Sequence, residues 1–158
     1  MNYNFTSDFD LKSTIEFLAG PRLWVPRTQY PDFLYWLDKV EYELENQTKR
    51  GLFCYVNSEL IGSVIFQRHK TNKDYLEIKN LTISPNHKKR FIASFLLRNA
   101  EIEGKRLFNS TNCICDAKAN NINITTFLLK HHYTISGMTD LYNIKSGIDN
   151  VFIKPLKN

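Results

Sequence analysis

The chain has 158 residues, of which 42% are hydrophobic and 13% aromatic, and its formal net charge is +5. This length and composition suit a single folded domain over residues 1–158 and exclude a disordered chain. No apolar run approaches the roughly 20 residues that a membrane span needs, and the polar, acidic first ten residues are not a signal peptide. We therefore expect a cytoplasmic protein that does not bind membranes.

The three cysteines, Cys54, Cys113 and Cys115, are an odd number without the spacing of a disulfide framework. Cys113 and Cys115 lie two apart in a strand-like run, so they share one face and are expected to be small buried hydrophobic residues. Adjacent His131 and His132 would diverge by about 100° on a helix and cannot bind one ion together. The sequence therefore predicts no metal site.

The first half of the chain alternates between helical and strand-like spacing. Residues 11–18 and 32–44 have helical spacing and flank a loop rich in proline and glycine. Strand-like runs then occupy residues 51–56, 60–68 and 74–84. The dipeptide Asn57-Ser58 predicts a tight turn between the first two of these strands.

The second half predicts a helix over residues 91–103 that ends at Gly104, and a strand over residues 112–118. A short helix over residues 121–131, capped by Asn120 or Asn121, follows. Two further strands are predicted at residues 133–142 and 151–155. This order of elements is typical of a mixed α/β sheet with helices packed on its faces.

The strand over residues 74–84 changes the parity of its apolar residues. Leu76 and Ile78 share one face, but the next aliphatic residues, Leu81 and Ile83, would fall on the other. One extra residue near Lys79-Asn80 would restore a single apolar face, which is the pattern of a β-bulge. A regular strand that is apolar on both faces is the alternative.

The same strand leads through a basic loop, residues 84–90, into the predicted helix that follows. Unpaired N–H groups and the helix dipole favour an anion at such a junction, and Lys88, Lys89 and Arg90 add positive charge. The loop is either a diphosphate site or a solvated basic turn. Neither a Walker motif nor a GxGxxG pattern is present.

Residues 76–97 resemble motif A of the GNAT acetyltransferases, a bulged strand, a loop of pattern (Gln/Arg)-x-x-Gly-x-(Gly/Ala) and a helix. Ala93 fits the pattern, Lys88 replaces Gln or Arg, and Phe91 replaces the first glycine. We expect Phe91, near the start of a helix, to need no positive φ, and we expect its ring to point into the core instead of into the ligand.

The resemblance extends over roughly residues 51–155. Residues 56–64 are similar to the family hairpin, with Gly62 in its usual place. Residues 116–133 resemble motif B, with matches at Asn121, Phe127, Lys130 and Tyr133, and with Leu128 where tyrosine is common and His132 where glycine is common. The resemblance implies a mostly antiparallel sheet of six to seven strands, flanked by about four helices, with a bulged central strand.

The family resemblance implies that acetyl-CoA, or another acyl-CoA, is the cofactor and that no metal is needed. The N–H of Leu81 would face the acyl carbonyl, while Thr82 and Ile83 would pair with the pantetheine arm as a strand does. The implied cofactor-binding residues in the loop, the helix and motif B are Lys88, Lys89, Arg90, Phe91, Ile92, Ala93, Ser94 and Asn121. Capping of a helix is the alternative role for Asn121.

The resemblance also implies catalytic residues. Glu77 stands where several family members carry a general base, and an apolar setting would raise its pKa for that task. Leu128 occupies the place of the usual proton donor, so Tyr133 and Tyr142 are candidate substitutes. A thiolate can also leave without a protein acid, because its pKa is not far above neutral pH.

The acceptor pocket of this fold forms from the first two helices, their loop and the last hairpin. Trp24, Arg27, Tyr30 and Asp140 are therefore candidate substrate-binding residues, with loop packing as their other interpretation. The resemblance predicts direct transfer of an acetyl group to a primary amine of a small molecule or a protein, by a monomer or homodimer. A toxin-type enzyme that acts on aminoacyl-tRNA, and a non-catalytic module that binds CoA or a partner, are the alternatives.

Overall fold

The structure is a computed structural model that describes residues 2–20, 32–140 and 147–156. Four α-helices lie in these ranges: α1 (Leu11–Ala19), α2 (Phe33–Glu45), α3 (Ile92–Phe108) and α4 (Ile122–Lys130). The strands are β1 (Asn4–Thr6), β2 (Arg50–Val56), β3 (Glu59–Arg68), β4 (Tyr75–Ile83), β5 (Asn112–Lys118), β6 (Thr134–Thr139) and β7 (Asp149–Pro155). A 3₁₀ turn, Pro85–His87, follows β4.

The seven strands form one sheet in the order β1-β2-β3-β4-β5-β7-β6. Every neighbouring pair is antiparallel except β4 and β5, which run parallel near the centre of the sheet. The mixed, mostly antiparallel sheet and the four helices confirm the predicted fold class. A parallel pair needs a long crossover, and α3 supplies it between β4 and β5.

Two hydrophobic clusters cover the two faces of the sheet. On one face α3 and α4 pack against β3, β4 and β5 through residues such as Leu96, Leu97 and Leu128. On the other face α1 and α2 pack against β2 and β3 through Leu18 and Val40. The strands β2 and β3 are therefore covered on both faces, whereas β6 is exposed along most of its length.

Two glycines allow α3 to approach the sheet closely. A Cβ atom at Gly62 would lie 2.9 Å from Ile83 Cδ1, and one at Gly104 would lie 2.5 Å from both Cδ atoms of Leu76. The predicted helix end at Gly104 is wrong, because this glycine is a buried packing position inside α3. The helix continues to Phe108, and Asn109 ends it with φ of 54°.

The remaining differences from the predicted elements are at the ends of the sheet. The sequence reading missed β1, a three-residue strand that pairs with β2. The predicted strand over residues 133–142 is shorter, since β6 ends at Thr139. Asn57 and Ser58 both have positive φ, which confirms the tight turn.

All three cysteines are buried and free, as predicted for Cys113 and Cys115. No helix within the described ranges is long and apolar enough to cross a membrane.

Candidate active site

The bulge predicted in β4 is present. Asn80 lies opposite Ile65 and Ile78 lies opposite Phe66, so Lys79 is an extra residue without a partner on β3. Ile78 and Ile83 are both buried in the cluster beneath α3, as the parity argument required. The bulge bends β4 away from its neighbour on the other side.

The parallel pair β4 and β5 separates just past the bulge. Their register contains three residue pairs and ends where Glu77 lies opposite Ile114, although both strands continue and lie wholly within the described residues. A slot of about 160 Å³ opens between the separated ends. Its lining residues come from both strands and both overlying helices and include Leu81, Thr82, Asp116 and Leu128.

The hydrogen-bonding pattern of β4 shows which main-chain groups face the slot. The Ser84 N–H donates to the Ile61 carbonyl at 2.7 Å. Because bonding alternates along an antiparallel ladder, the main chain of Thr82 points toward β3, and those of Leu81 and Ile83 point away from it. Thr82 therefore uses its main chain within the sheet, and Leu81 and Ile83 are the residues whose main-chain groups are directed away from β3. The Thr82 side chain is buried, and its hydroxyl donates to Asn80 Oδ1 at 2.7 Å.

A larger cleft of about 590 Å³ joins the slot at its outer end. The two cavities share Leu81, Asn121 and Ile124 in their linings. We call the larger one the outer cleft; it lies between residues 87–94 and helix α4. Four cationic side chains line it, those of Lys88, Lys89, Arg90 and Lys130, and none of its described lining residues is a carboxylate. Its electrostatic potential therefore favours an anion.

The backbone at the floor of the outer cleft also suits an anion. Lys89 and Phe91 have φ of 59° and 62°, and α3 begins at the next residue, so the loop turns sharply into the helix. The first N–H groups of α3, including those of Ile92, Ala93 and Ser94, have no carbonyl partner within the helix. Such an arrangement of main-chain donors at the positive end of a helix dipole is a site for phosphate groups.

Phe91 differs from its prediction in two respects. Its φ is positive, so this position has the backbone conformation that glycine adopts most readily, as the motif pattern would have indicated. Its ring is 84% exposed and does not pack in the core. The departure from the motif therefore changed the side chain but kept the backbone conformation of the loop.

Asn121 and Ser94 connect the two helices that border the outer cleft. Asn121 Oδ1 accepts a hydrogen bond from the Ile124 N–H at 3.2 Å, which confirms that it caps α4. Asn121 also lines both cavities, so capping and ligand contact are compatible. Ser94 Oγ lies 2.9 Å from His131 Nε2 and ties the first turn of α3 to the end of α4.

Glu77 lies at the closed end of the slot with two polar partners. Lys79 Nζ is 3.0 Å from its Oε1, and Gln67 Nε2 donates to its Oε2 at 2.6 Å. Burial raises the pKa of this carboxyl, but the charge of Lys79 and the two hydrogen bonds outweigh burial and hold the pKa below its ordinary value. The raised pKa predicted for Glu77 is therefore wrong, because that prediction did not include these partners.

Asp116 is a second carboxylate at the slot, and the sequence reading did not assign it a role. It lies on β5, two residues past the last pair with β4, and it lines the slot. Burial raises its pKa, the nearby charges of Asp149 and Glu77 add to the rise, and Lys79 opposes it. The sequence did contain a signal for a functional role of Asp116, because a carboxylate in the middle of a buried, cysteine-rich strand beside the predicted ligand is unusual.

The model of the acetyltransferase (GNAT) family matches residues 16–133, about three quarters of the chain. The chain belongs to the GNAT acetyltransferase family. Membership accounts for the bulged β4, the separated β4 and β5, and the phosphate-type turn into α3, which lie together within the matched range. Among curated protein sequences, none matches this chain significantly.

Solved structures with the same fold cover the whole chain. A GNAT-family protein from Desulfovibrio desulfuricans superposes with a TM-score of 0.77 at 7% identity, covering 99% of this chain and 100% of its own. An aminoglycoside 6'-N-acetyltransferase complexed with coenzyme A has a TM-score of 0.72 at 13% identity, with coverage of 100% and 98%. The ribosomal-protein-S18-alanine N-acetyltransferase of Escherichia coli also has a TM-score of 0.72, at 14% identity, with coverage of 99% and 96%. At these identities the likeness establishes the fold.

The residues present fit coenzyme A, the cofactor of GNAT enzymes. The outer cleft offers cations and main-chain donors to a diphosphate, and the slot offers the unpaired main chain of Leu81 and Ile83 to the amide-bearing arm. Among the predicted cofactor-binding residues, Thr82 directs its main chain toward β3, so only its side chain can face the slot. The others lie along one continuous path from Leu81 to Phe91 and Asn121.

Of the two predicted proton donors, Tyr133 lies within the described residues, and it is not brought to this GNAT site. Tyr133 is 1% exposed, its hydroxyl donates to Glu101 Oε1 at 2.8 Å, and it lies 3.1 Å from Cys113 Sγ. Burial raises the pKa of this phenol far above its ordinary value, with the neighbouring Cys113 and Glu101 adding to the rise. Leu128, at the family tyrosine position, is buried and lines the slot with a side chain that has no acidic proton to donate.

The predicted acceptor residues lie mostly outside the described ranges. Trp24, Arg27, Tyr30 and the candidate acid Tyr142 fall in residues 21–31 and 141–146. Asp140 is described, is exposed and directly follows β6, but it lines neither cavity. Across the described residues, no group of three or more histidine, cysteine, aspartate or glutamate side chains has a geometry that would hold a metal ion.

Proposed function

We propose that this protein transfers the acetyl group of acetyl-CoA to a primary amine of a small molecule or protein by direct attack within a ternary complex. The observation that carries the proposal is the continuous path from the basic outer cleft into the slot. Along it, the main-chain groups of Leu81 and Ile83 are directed away from β3 and unused by β5. An arm bearing amides can add there as a strand would.

The chain's own residues divide the cofactor between them. The turn at residues 88–93 would hold the diphosphate, and Leu81 and Ile83 would hold the pantetheine arm. The N–H of Leu81 would then donate to the carbonyl oxygen at the inner end, where negative charge develops during transfer. Bound acetyl-CoA supplies an acyl group activated as a thioester.

Two carboxylates flank the place where an amine must arrive, and we propose Asp116 as the one that takes the proton from the ammonium. A base accepts a proton more readily when its pKa is nearer the working pH, and the pKa of Asp116 is raised while that of Glu77 is lowered. Glu77, held by Lys79 and Gln67, would orient water and contribute a fixed negative charge. This assignment revises the role predicted for Glu77.

The leaving thiolate needs no protein acid in this proposal. Leu128 lines the slot where a hydroxyl would otherwise stand, and Tyr133 is committed to Glu101 in the core. The pKa of a free thiol is about 8.5, so a thiolate is a stable leaving group close to neutral pH. An aliphatic side chain at the slot would instead exclude water from the thioester.

The charges at the slot support a class of acceptor, whereas similarity to proteins of known structure does not. Structurally similar proteins are named for acceptors as different as an aminoglycoside and a ribosomal-protein alanine, so the fold does not select between them. Asp116 is the carboxylate in the slot lining. The two lysines of that lining, Lys79 and Lys118, pair with Glu77 and Asp149, so a cationic amine would be attracted to Asp116. We therefore propose an acceptor that arrives as an ammonium ion.

The proposal is tested by calorimetric titration with CoA and acetyl-CoA, followed by thiol release over a panel of amines. The panel includes a polyamine, an aminoglycoside, a peptide with an N-terminal alanine and an aminoacyl-tRNA. Binding with amine-dependent thiol release supports the proposal. Binding without release for any amine would make the chain a CoA-binding module, the alternative that Leu128 at the family tyrosine position favours. Failure to bind either cofactor would remove the enzymatic proposal altogether.

A further inference from the structure

Phe91 combines two features that each cost free energy. A phenylalanine with φ of 62° has its backbone in the left-handed region, where its Cβ crowds the following carbonyl oxygen and glycine has no such cost. Its ring is 84% exposed, so the fold also leaves a large apolar side chain in water. Neither feature is needed to build the turn, because glycine would adopt the same backbone without strain.

Packing within the described chain does not explain the ring. Phe91 is absent from both hydrophobic clusters, whereas its helix neighbour Phe95 packs its ring 4.0 Å, centroid to centroid, from that of Phe5. The main chain of Phe91 does serve the fold, since its carbonyl accepts the Phe95 N–H at 2.9 Å. That bond would be made by any residue at this position.

The ring of Phe91 belongs to the wall of the outer cleft, beside the cations of the phosphate turn. We propose that this ring stacks on the adenine of coenzyme A and holds the outer end of the cofactor. The inference rests on the proposed function and adds to it a specific contact made by a residue that departs from the motif pattern.

The order of groups along the cofactor supports adenine as the partner. With the thioester at Leu81 in the slot, the aliphatic arm occupies the narrow space between β4 and β5, and the diphosphate reaches the turn at residues 88–93. The adenosine then lies beyond that turn, on the open side where Phe91 is exposed. Adenine is the one aromatic group of the cofactor, and base–aromatic stacking is favourable whichever base is offered.

The experiment compares CoA with 4'-phosphopantetheine, which lacks the adenosine, its 3'-phosphate and one phosphate of the diphosphate, in calorimetric titrations. Phe91→Gly and Phe91→Asn both remove the ring, and both residues tolerate the left-handed region. We expect each variant to bind CoA about tenfold more weakly than the unmodified protein, within the range of base–aromatic stacking. Binding of 4'-phosphopantetheine should be unchanged.

Two further measurements make the result specific to the ring. Phe91→Trp keeps an aromatic ring and should retain the CoA affinity of the unmodified protein. The fluorescence of the added tryptophan should be quenched by CoA but not by 4'-phosphopantetheine. The unmodified protein measures the background signal of Trp24 and Trp36. Thermal unfolding of Phe91→Gly should show a midpoint at or above that of the unmodified protein, because backbone strain is relieved. If Phe91→Gly is as stable as the unmodified protein but binds CoA more weakly, the loss of affinity comes from the missing contact between the ring and adenine.

The inference and the proposed function fail in different ways. Unchanged or tighter CoA binding by Phe91→Asn would overturn the stacking contact while leaving the cofactor site in place. An equal loss of affinity for CoA and 4'-phosphopantetheine would also overturn it, since the effect would then lie in the phosphate turn. Absence of CoA binding by the unmodified protein would overturn the proposed function itself.

Discussion

The outer cleft and the inner slot of this site are built in different ways. The outer cleft uses one continuous segment, residues 87–94, together with α4, and presents main-chain donors and cations to its ligand. The slot is assembled from β4, β5, α3 and α4, and its polar groups include the opposed charges of Lys79 and Asp116. A contiguous, backbone-based site depends little on side-chain identity, whereas a site assembled from separate strands depends on each side chain.

This difference predicts that substitutions in the slot alter turnover and that substitutions in the outer cleft alter affinity. Groups in the slot would touch the reacting atoms, where interactions strengthen as charge develops. Groups in the outer cleft would bind parts of the cofactor that do not react, so their contribution would be equal in the ground state and the transition state.

The largest expected effect is that of Leu81→Pro, which deletes the N–H directed into the slot. Loss of one donor to a developing oxyanion lowers turnover about 10²- to 10³-fold. The fold should tolerate the change, because proline is accepted where the N–H does not pair with a neighbouring strand. Thiol release with any amine that supports turnover measures the effect.

Two matched variants control the Leu81 experiment. Leu81→Ala keeps the N–H while shortening the side chain that packs on the core, so it should lose far less activity than Leu81→Pro. Thr82→Pro moves the deletion to the next residue, whose N–H pairs with β3, and should lower the thermal midpoint instead. Equal activity for the proline and alanine variants at position 81 would disprove the role of its N–H.

The next largest effect should distinguish the two carboxylates. Asp116→Asn removes the proposed general base, so it should slow turnover at least about tenfold more than Glu77→Gln. The limb of the pH–rate profile that rises with pH should disappear only in Asp116→Asn. A larger loss in Glu77→Gln, with that limb removed, would return the base to Glu77.

The stabilities of the same two variants should change in opposite directions. Asp116 holds its proton more tightly when folded, so its contribution favours folding at low pH and is lost as pH rises through the folded pKa. Asp116→Asn should therefore raise the thermal midpoint at neutral pH.

The lowered pKa of Glu77 gives stability that is present above its ordinary value of 4.5 and is lost as pH falls through the folded pKa. Glu77→Gln should lower the midpoint at neutral pH, and less so in acid.

The two halves of the site also differed in how far the sequence could predict them. The bulge was visible as a change of apolar parity between Ile78 and Leu81, because side-chain alternation is a local property of one strand. The phosphate turn was visible as a basic loop that enters a helix. Both features lie within one short stretch of chain, where spacing in the sequence reports spacing in the structure.

Features that depend on several elements were predicted poorly. The pKa of Glu77 depends on Gln67, ten residues earlier on β3, which the sequence could not place beside it. Tyr133 matched a motif position, yet its hydroxyl donates a hydrogen bond to Glu101 on α3, about 30 residues earlier in the chain. Asp116 was quoted within a motif without a role, because only the separation of β4 and β5 exposes it to a ligand.

The smallest expected effect tests the charge of the outer cleft. Lys130 lines that cleft from the last turn of α4 and is exposed, so Lys130→Gln should weaken CoA binding only about two- to fivefold. The loss should shrink as salt rises from about 0.05 M to 0.5 M, since screening reduces an exposed interaction, and turnover at saturating cofactor should not change. Lys12→Gln on α1 removes an equal charge away from the cleft and is the control. A fall in turnover at saturation for Lys130→Gln would contradict the division between a binding half and a reacting half, because a charge in the outer cleft would then act on the transition state.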